Sequence, residues 1–180
     1  MAIGSHQSPK MKNDEWLTPP EIIEALGTFD LDPCSPINRP WDTARAHYTV
    51  EDNGLLKKWE GRVWMNPPYS RETAMWLKKL SIHGDGIALT FARTETRMFF
   101  NYVWPVASAV LFIEGRLHFC YVDGTKAKAN SGGPSVLIAY GDVNALWLKM
   151  SGIKGQFLTI PKSKRNGDRK ESRDEERILF

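Results

Sequence analysis

In the stretch GRVWMNPPYS, residues 61–70, an apolar run ends abruptly in an asparagine, two prolines and a tyrosine. The segment GRVWM, residues 61–65, predicts a short buried strand. The prolines end it, because proline lacks the backbone N–H that a sheet ladder needs. The chain after the strand therefore presents carbonyl oxygens without competing donors, and Asn66 adds an amide oxygen beside them. We predict a cluster of hydrogen-bond acceptors at this strand end.

An asparagine oxygen and a proline carbonyl oxygen together fit an exocyclic amine, which has two hydrogens to donate. Hydrogen bonds from both hydrogens draw the nitrogen toward tetrahedral geometry and localise its lone pair, which makes it a nucleophile. The Tyr69 ring offers a flat face for stacking a base. The chemistry predicted for Asn66, Pro67, Pro68 and Tyr69 is attack by an exocyclic amine on an activated methyl group. The alternative is a rigid turn that only ends a strand.

Along the rest of the chain, apolar segments alternate with segments of helical spacing. The predicted strands are TFDLD, AHYTV, GRVWM, GIALTFA, ASAVLFIEG, SVLIAYG and QFLTI, and the predicted helices are TPPEIIEALG, RETAMWLKKLSIH, TETRMFFNYVW and ALWLKM. This order predicts an α/β fold: a mostly parallel sheet with helices on both faces and an antiparallel end strand. Such sheets bind ligands at the carboxyl ends of their strands. Asp32, Asp52 and Asn66–Tyr69 all follow predicted strands.

The composition is that of one ordinary globular domain, with 180 residues, 42% of them hydrophobic and 25% charged. No apolar run reaches the roughly 18 residues of a membrane span, and the start of the chain lacks a signal peptide's apolar core. Cys34, Cys120 and four scattered histidines show no metal-ligand spacing. We expect a cytoplasmic protein without metal, with a flexible segment 1–14, a domain 15–161 and a charged, disordered tail 162–180.

Four segments occur in an order that resembles the phage-type DNA N-6-adenine methyltransferase family: WLTPPEIIEALGTFDLDPCS, YTVEDNGLLKKWEGRVWMNPPYS, ALTFARTET and FIEGRLHF. The resemblance runs from about Trp16 to Tyr140, and residues 66–69 match the Asp/Asn/Ser-Pro-Pro-Tyr/Phe/Trp motif of amino-methyltransferases. It implies a Rossmann-like class I methyltransferase fold, S-adenosylmethionine as cofactor, and adenine N6 in double-stranded DNA as substrate, with base flipping. If a phage encodes the chain, the cytoplasm is that of the host cell.

The resemblance also implies cofactor contacts in three segments. In DLDPCS, Asp32 would hold the methionine end and Asp30 ranks second. In WLTPP, Thr18 would offer a hydroxyl near the carboxylate end. In YTVED, Asp52 would accept from ribose hydroxyls, with Glu51 as the competing candidate. The full set of expected contacts is Trp16, Thr18, Pro19, Asp30, Asp32, Pro33, Cys34, Asp52 and Gly54.

Each of these assignments has a structural alternative. Asp32 could cap a turn, Thr18 could be a helix N-cap and Trp16 a core anchor. Gly54 is expected to let the backbone approach the adenine ring. The loop after Asp32 departs from the usual methyltransferase pattern, because it has no glycine, and contacts after Ser35 are therefore in doubt.

The net charge of +3 and the pI near 8.8 permit a polyanionic partner without requiring one. Phosphate contacts are expected from basic side chains near strand ends and in loops, with solvated surface charge as the ordinary alternative. These are Arg71, Arg93, Arg97, Arg116, Lys126 and Lys128. The polar loop 120–134 is expected to be mobile without DNA.

Two other functions stay open at this point. The same chemistry could act on a protein glutamine or an RNA adenine. A non-catalytic module that binds DNA or the cofactor would explain the missing glycines after Asp32, although the intact residues 66–69 favour an enzyme.

Overall fold

The computed structural model describes residues 15–161, so the segments expected to be flexible or disordered, 1–14 and 162–180, lie outside the described residues. Within the described range, seven strands form one sheet in the order β2-β1-β3-β4-β6-β5-β7. The strands are β1 Leu31–Asp32, β2 Ala46–His47, β3 Val63–Met65, β4 Gly86–Phe91, β5 Ala109–Ile113, β6 Ser135–Tyr140 and β7 Gly155–Thr159.

Five of these strands run in one direction. β1 pairs in parallel with β2 and β3, and β3 pairs in parallel with β4. β6 is antiparallel to both β4 and β5, which gives β5 the direction of β4, and β7 is antiparallel to β5. The predicted α/β class is confirmed, with an antiparallel strand at the β7 edge. The second antiparallel strand, β6, lies inside the sheet, which strand spacing along the chain did not reveal.

Four helices cover the two faces of the sheet: α1 Pro20–Leu26, α2 Thr73–His83, α3 Arg97–Tyr102 and α4 Asp142–Met150. α1 and α4 pack on one face through Leu26 and Leu148, and α2 and α3 pack on the other through Leu77 and Phe99. β6 is buried on both faces, as its continuous apolar run predicts. Burying both faces leaves the strand ends and their loops as the accessible part of the sheet.

Helix α1 shows which local signals were sufficient. It ends at Gly27, whose φ of 80° is in the left-handed region that favours glycine, as predicted. Its start differs from the expectation, because Pro19 occupies the N-cap position and no side chain caps the helix. The prediction of Thr18 as N-cap is therefore wrong.

The strands that lead to the predicted site run in parallel, and β1 and β3 are short. β1 and β3 are in register with Leu31 beside Val63, and β3 and β4 with Met65 beside Ala88. Pro33 follows β1 directly, and Pro67 lies two residues after the end of β3. Both strands stop here because proline lacks the backbone N–H that a ladder needs. The loops after β1, β3 and β4 consequently meet at one edge of the sheet.

Candidate active site

A cavity of about 520 Å³ opens at this edge. Its wall is built from five segments of the chain, whose lining residues are Glu15, Trp16, Pro33–Pro36, Thr49, Val50, Asn53–Leu56, Asn66–Tyr69, Glu72, Met75 and Trp76. The cavity thus brings the four residues of the predicted acceptor cluster together with Trp16, Pro33, Cys34 and Gly54. Thr18, Pro19, Asp30, Asp32 and Asp52 are not part of its wall.

Asn66 has partners at both ends of its amide. Its Nδ2 donates to the carbonyl oxygen of Trp16 at 3.1 Å, and its Oδ1 accepts from the Tyr69 hydroxyl at 3.0 Å. A flipped amide would place its oxygen against the Trp16 carbonyl oxygen, so the Trp16 contact sets the amide orientation. The oxygen is held near Tyr69, and one of its two lone pairs stays available for a second donor.

The two proline carbonyls of the cluster differ. The Pro68 oxygen already accepts from the Ser70 N–H at 2.9 Å and from the Thr73 hydroxyl at 2.6 Å. In the described part of the chain, no donor bonds the carbonyl of Pro67, which is buried on the cavity wall. Pro67 is therefore the proline whose oxygen can join Asn66 as an acceptor, a choice that the tetrapeptide alone left open.

The Tyr69 ring is packed against two phenylalanines. Phe91 stacks on it with a centroid distance of 4.4 Å and an interplanar angle of 24°, and Phe119 meets it at 6.1 Å and 64°. One face of the tyrosine is thus covered, and a stacking base must use the other. Burial raises the pKa of Tyr69 well above its usual range, and the neighbouring Cys34 acts in the same direction, so the hydroxyl stays a donor.

Asp32 is buried behind the cavity wall and its carboxylate is occupied. Oδ1 accepts from the Cys34 N–H at 3.1 Å, and Oδ2 accepts from the Thr43 hydroxyl at 2.5 Å. Burial raises the pKa of Asp32 to about 6, and the Thr43 and Cys34 hydrogen bonds limit that rise. Here the turn-cap alternative describes the geometry. Asp32 shapes the loop 33–36, and this loop, rather than the carboxylate, reaches the cavity.

Asp30 and Asp52 also bond within the protein instead of facing the cavity. Asp30 accepts from the backbone N–H of Arg62 at 2.8 Å and from the Arg45 guanidinium at 3.1 Å. Asp52 Oδ2 accepts from the N–H and the hydroxyl of Thr49, at 2.9 and 3.1 Å, and these bonds lower its pKa. Donors within the protein thus hold both carboxylates, and their expected contacts with the cofactor stay predictions.

Thr18 and Gly54 are both buried, and the cofactor contacts expected of them stay predictions. The Thr18 hydroxyl is buried without a hydrogen-bond partner in the described residues, beside Pro19, which is buried too. At Gly54, an added Cβ would lie 2.0 Å from the carbonyl oxygen of Pro33. Gly54 is therefore required by the close packing of two loops of the protein. It still lines the cavity, but this contact, rather than an adenine ring, excludes a side chain there.

The structure adds wall residues that sequence reasoning missed. Asn53 (φ 53°), Leu55 and Leu56 come from the turn after β2, and Met75 and Trp76 from α2. Leu56 is 82% exposed and Met75 54% exposed at the cavity. Large apolar side chains left open around a cavity are typical of a ligand surface. The available signal was the position of α2, which directly follows residues 66–69.

Arg71 and Arg93 line a second cavity of about 170 Å³, which shares Tyr69 with the first. Arg93 lies with its guanidinium 6.0 Å from the Phe91 ring centre. The other predicted basic contacts, Arg97, Arg116, Lys126 and Lys128, are exposed. Arg116 follows β5, which runs in the direction of β4. Of the six predicted basic residues, Arg71 and Arg93 are the two that line a described cavity.

The loop 120–134 is more ordered than its composition predicts. Cys120 forms antiparallel bridges with Leu17 and with Lys126, and Ala127 and Ser131 are buried. The Ala127 N–H also donates to the Phe119 carbonyl. The expectation of a loose segment is corrected for this framework. Lys126 and Lys128 remain exposed on it, so the loop presents charge from a built hairpin.

Two kinds of feature are absent from residues 15–161. No group of three or more His, Cys, Asp or Glu side chains there could hold a metal ion. Among the same residues, no helix has the length and apolar character that crossing a membrane requires.

Comparison with known proteins adds to this geometry. Residues 5–159 match the family model described as DNA N-6-adenine-methyltransferase (Dam). A protein of Escherichia phage T1 named DNA N-6-adenine-methyltransferase is 29% identical over 119 residues, which are 61% of this chain and 49% of the phage protein. The chain thus spans about half the length of this curated relative. No solved structure matches the chain significantly.

Proposed function

Because the chain belongs to the DNA N-6-adenine-methyltransferase (Dam) family, we propose that it methylates the N6 amine of adenine in double-stranded DNA, with S-adenosylmethionine as methyl donor. The observation that carries this proposal is that Asn66 and Pro67 line the same cavity of about 520 Å³. Asn66 Oδ1 has a lone pair left for a further donor, and the Pro67 carbonyl oxygen accepts no hydrogen bond from the described residues. Two acceptors beside a ligand-sized space are what an exocyclic amine requires.

The cavity fits the cofactor in size and in chemistry. Its volume is within the roughly 300–1,000 Å³ of small-molecule sites. Leu56, Met75 and Trp76 offer apolar surface for a purine ring, and the loop 33–36 offers backbone groups for the polar end. When bound, S-adenosylmethionine supplies an electrophilic methyl group on a sulfonium.

The protein's own groups then act on the target amine. Asn66 Oδ1 and the Pro67 oxygen accept the two N6 hydrogens, and these bonds strengthen as N6 becomes tetrahedral and gains positive charge. The Trp16 carbonyl and the Tyr69 hydroxyl keep the Asn66 oxygen turned toward N6. As the carbon–nitrogen bond forms, the methyl–sulfur bond would break and S-adenosylhomocysteine would be left as a neutral thioether. N6 then loses one proton to solvent.

An adenine inside a duplex cannot reach Asn66, so the base must leave the helix, at a cost of a few kcal/mol. Stacking of the flipped base on the face of the Tyr69 ring that Phe91 does not cover offsets part of that cost. Arg71 and Arg93 stand at the neighbouring cavity, where they can hold the phosphates of the distorted strand.

The test is methyl transfer from labelled S-adenosylmethionine into duplex DNA, RNA and protein, followed by mapping of N6-methyladenine in the DNA. We expect label in DNA, on adenine. Label in RNA or on protein glutamine instead would show that the substrate is wrong. Cofactor binding in calorimetry without any transfer would favour a non-catalytic module.

A further inference from the structure

The ammonium group of Lys79, on α2, donates to three carbonyl oxygens of one turn. Its Nζ is 3.1 Å from the Gly54 oxygen and 2.7 Å from the Leu55 oxygen, and it also bonds the Lys57 carbonyl. An ammonium has three N–H donors, so this set uses all of them on neutral acceptors. The salt bridges found among residues 15–161 do not include Lys79.

The surroundings of Lys79 strengthen this tether. Its Nζ lies 4.8 Å from the centre of the Trp59 ring, and the Trp59 indole N–H donates to the same Gly54 oxygen at 2.8 Å. Trp59 stacks in turn on Trp76, a residue of the cavity wall, at 6.1 Å. Burial lowers the pKa of Lys79. Hydrogen bonds in such a partly desolvated place are stronger than those formed in open water.

The turn that Lys79 holds forms one side of the large cavity. Asn53, Gly54, Leu55 and Leu56 line it, and these residues belong to no strand or helix that would fix them through a ladder. Within the turn, one backbone bond runs from the Leu56 N–H to the Asn53 carbonyl. The position of the turn relative to α2 therefore depends on hydrogen bonds from side chains, and Lys79 makes three of these bonds.

We propose that Lys79 is a positioning residue for the cofactor, which holds the turn 53–57 at the distance from α2 that the cavity requires. The inference rests on the proposed function above. Near its other end, α2 holds the acceptor cluster, because the Thr73 hydroxyl donates to the Pro68 and Ser70 carbonyls. One helix thereby sets the spacing between the cofactor wall and the catalytic residues.

The main test is Lys79→Met, which keeps the aliphatic stem on Trp59 and removes the three donors. The matched control is Lys78→Met, at the exposed position next to it. We expect the Kd for S-adenosylmethionine, measured by calorimetry, to rise about tenfold in Lys79→Met, as for the loss of one charged hydrogen bond. The kcat at saturating cofactor should stay within twofold, and Lys78→Met should match the native protein in both.

A second measurement separates tethering from a general loss of structure. In Lys79→Ala, ethylammonium should restore part of the cofactor affinity, because it returns three N–H donors to the vacated position. Tetramethylammonium carries the same charge without donors and should restore none. Hydrogen exchange of the amides at 53–57 should speed up in Lys79→Met and slow again with ethylammonium in Lys79→Ala.

The outcomes distinguish this inference from the proposed function. Unchanged cofactor affinity and unchanged exchange at 53–57 in Lys79→Met would overturn the role of Lys79 while leaving the function intact. A loss confined to kcat would overturn it as well. A native protein that binds no S-adenosylmethionine would refute the proposed cofactor, and the exchange data would then decide the tether by themselves.

Discussion

At Asn66, the side-chain amide is fully oriented before any substrate arrives. The Trp16 carbonyl oxygen accepts from Asn66 Nδ2, and the Tyr69 hydroxyl donates to Asn66 Oδ1. The Asn66 oxygen therefore needs no reorganisation when the amine enters. Groups that are already aimed at developing charge contribute most to a rate enhancement. The residue scale is therefore where the proposed chemistry can be tested most directly.

Asn66→Ala should lower the single-turnover rate on duplex DNA by about 10²–10³, the scale known for loss of one preorganised transition-state contact. The Kd for S-adenosylmethionine should change little, because the lost bond is made to the amine. Asn101→Ala, at an exposed position of α3, is the control and should behave as the native protein. A wild-type rate in Asn66→Ala would leave residues 66–69 as no more than a rigid turn.

Tyr69→Ala should weaken binding of DNA with an abasic site opposite the target adenine, where the base is already unpaired, by roughly 1–3 kcal/mol, the range for one base–aromatic stack. Tyr69→Phe keeps the ring and removes only the tyrosine hydroxyl, which donates to Asn66 Oδ1. It should retain DNA affinity and lose rate. Equal affinity loss in both variants would mean that the hydroxyl, and not the ring, engages the substrate.

Among the elements, β1 is the clearest case of local bonds that redirect an expected side chain. The strand has two residues, and its last one, Asp32, folds its carboxylate back onto Cys34 and Thr43. In so short a strand, the direction of the last side chain depends on the hydrogen-bond donors of the next loop. This loop supplies two donors, which limit the rise in the Asp32 pKa that burial causes.

The buried acid predicts a pH dependence of stability. With a folded pKa of about 6, against the ordinary aspartate pKa of 3.8 in the unfolded chain, Asp32 binds a proton in the folded protein that the unfolded chain has released. Its contribution is fully present below about pH 4 and is lost as the pH rises through 6. Over that window the free energy of unfolding should fall by about 3 kcal/mol on this account.

Asp32→Asn isolates that contribution, because it removes the titration and keeps an acceptor for the Cys34 N–H. Urea unfolding of both proteins from pH 4 to 7 should give a difference in the free energy of unfolding that shifts steadily in favour of the variant. A constant difference across this range would contradict the buried, titrating state of Asp32.

In the whole molecule, the strand directions place the large cavity at the carboxyl ends of the parallel strands and the last described residues at the opposite end of the sheet. β1, β3, β4 and β5 all end at the cavity edge. β7 runs the opposite way and its Thr159 pairs with Ala109, the first residue of β5. The last described residues therefore leave the sheet at the end opposite the cavity that Arg71 and Arg93 line.

Removing one phosphate contact should change the salt dependence of DNA binding. Arg71→Ala and Arg93→Ala should each reduce the slope of log K against log salt by about 0.9, in the manner of a single lost phosphate contact. Lys58→Ala, two residues after the last cavity-lining residue of the turn and paired with Glu60, is the control and should leave the slope unchanged. Unchanged slopes in both arginine variants would place the DNA on another surface.

The sequence by itself determined features that depend on a few neighbouring residues. The proline-ended strand predicted at 61–65, the acceptor pair after it and the glycine end of α1 are consequences of local backbone chemistry. The structure confirms the strand, at Val63–Met65, and the helix end. The alternation of strands and helices determined the α/β class for the same reason. The order of the quoted segments indicated the family, which the family model confirms.

The tertiary structure decided which polar groups face the cavity, because that depends on donors far away in the chain. Asp30 turns toward Arg62 across 32 positions, and Lys79 reaches the carbonyl of Gly54 across 25. Gly54 packs on Pro33 so closely that only a glycine fits. Single residues carry no signal for such contacts. They arise when buried polar groups find their partners as the loops pack together.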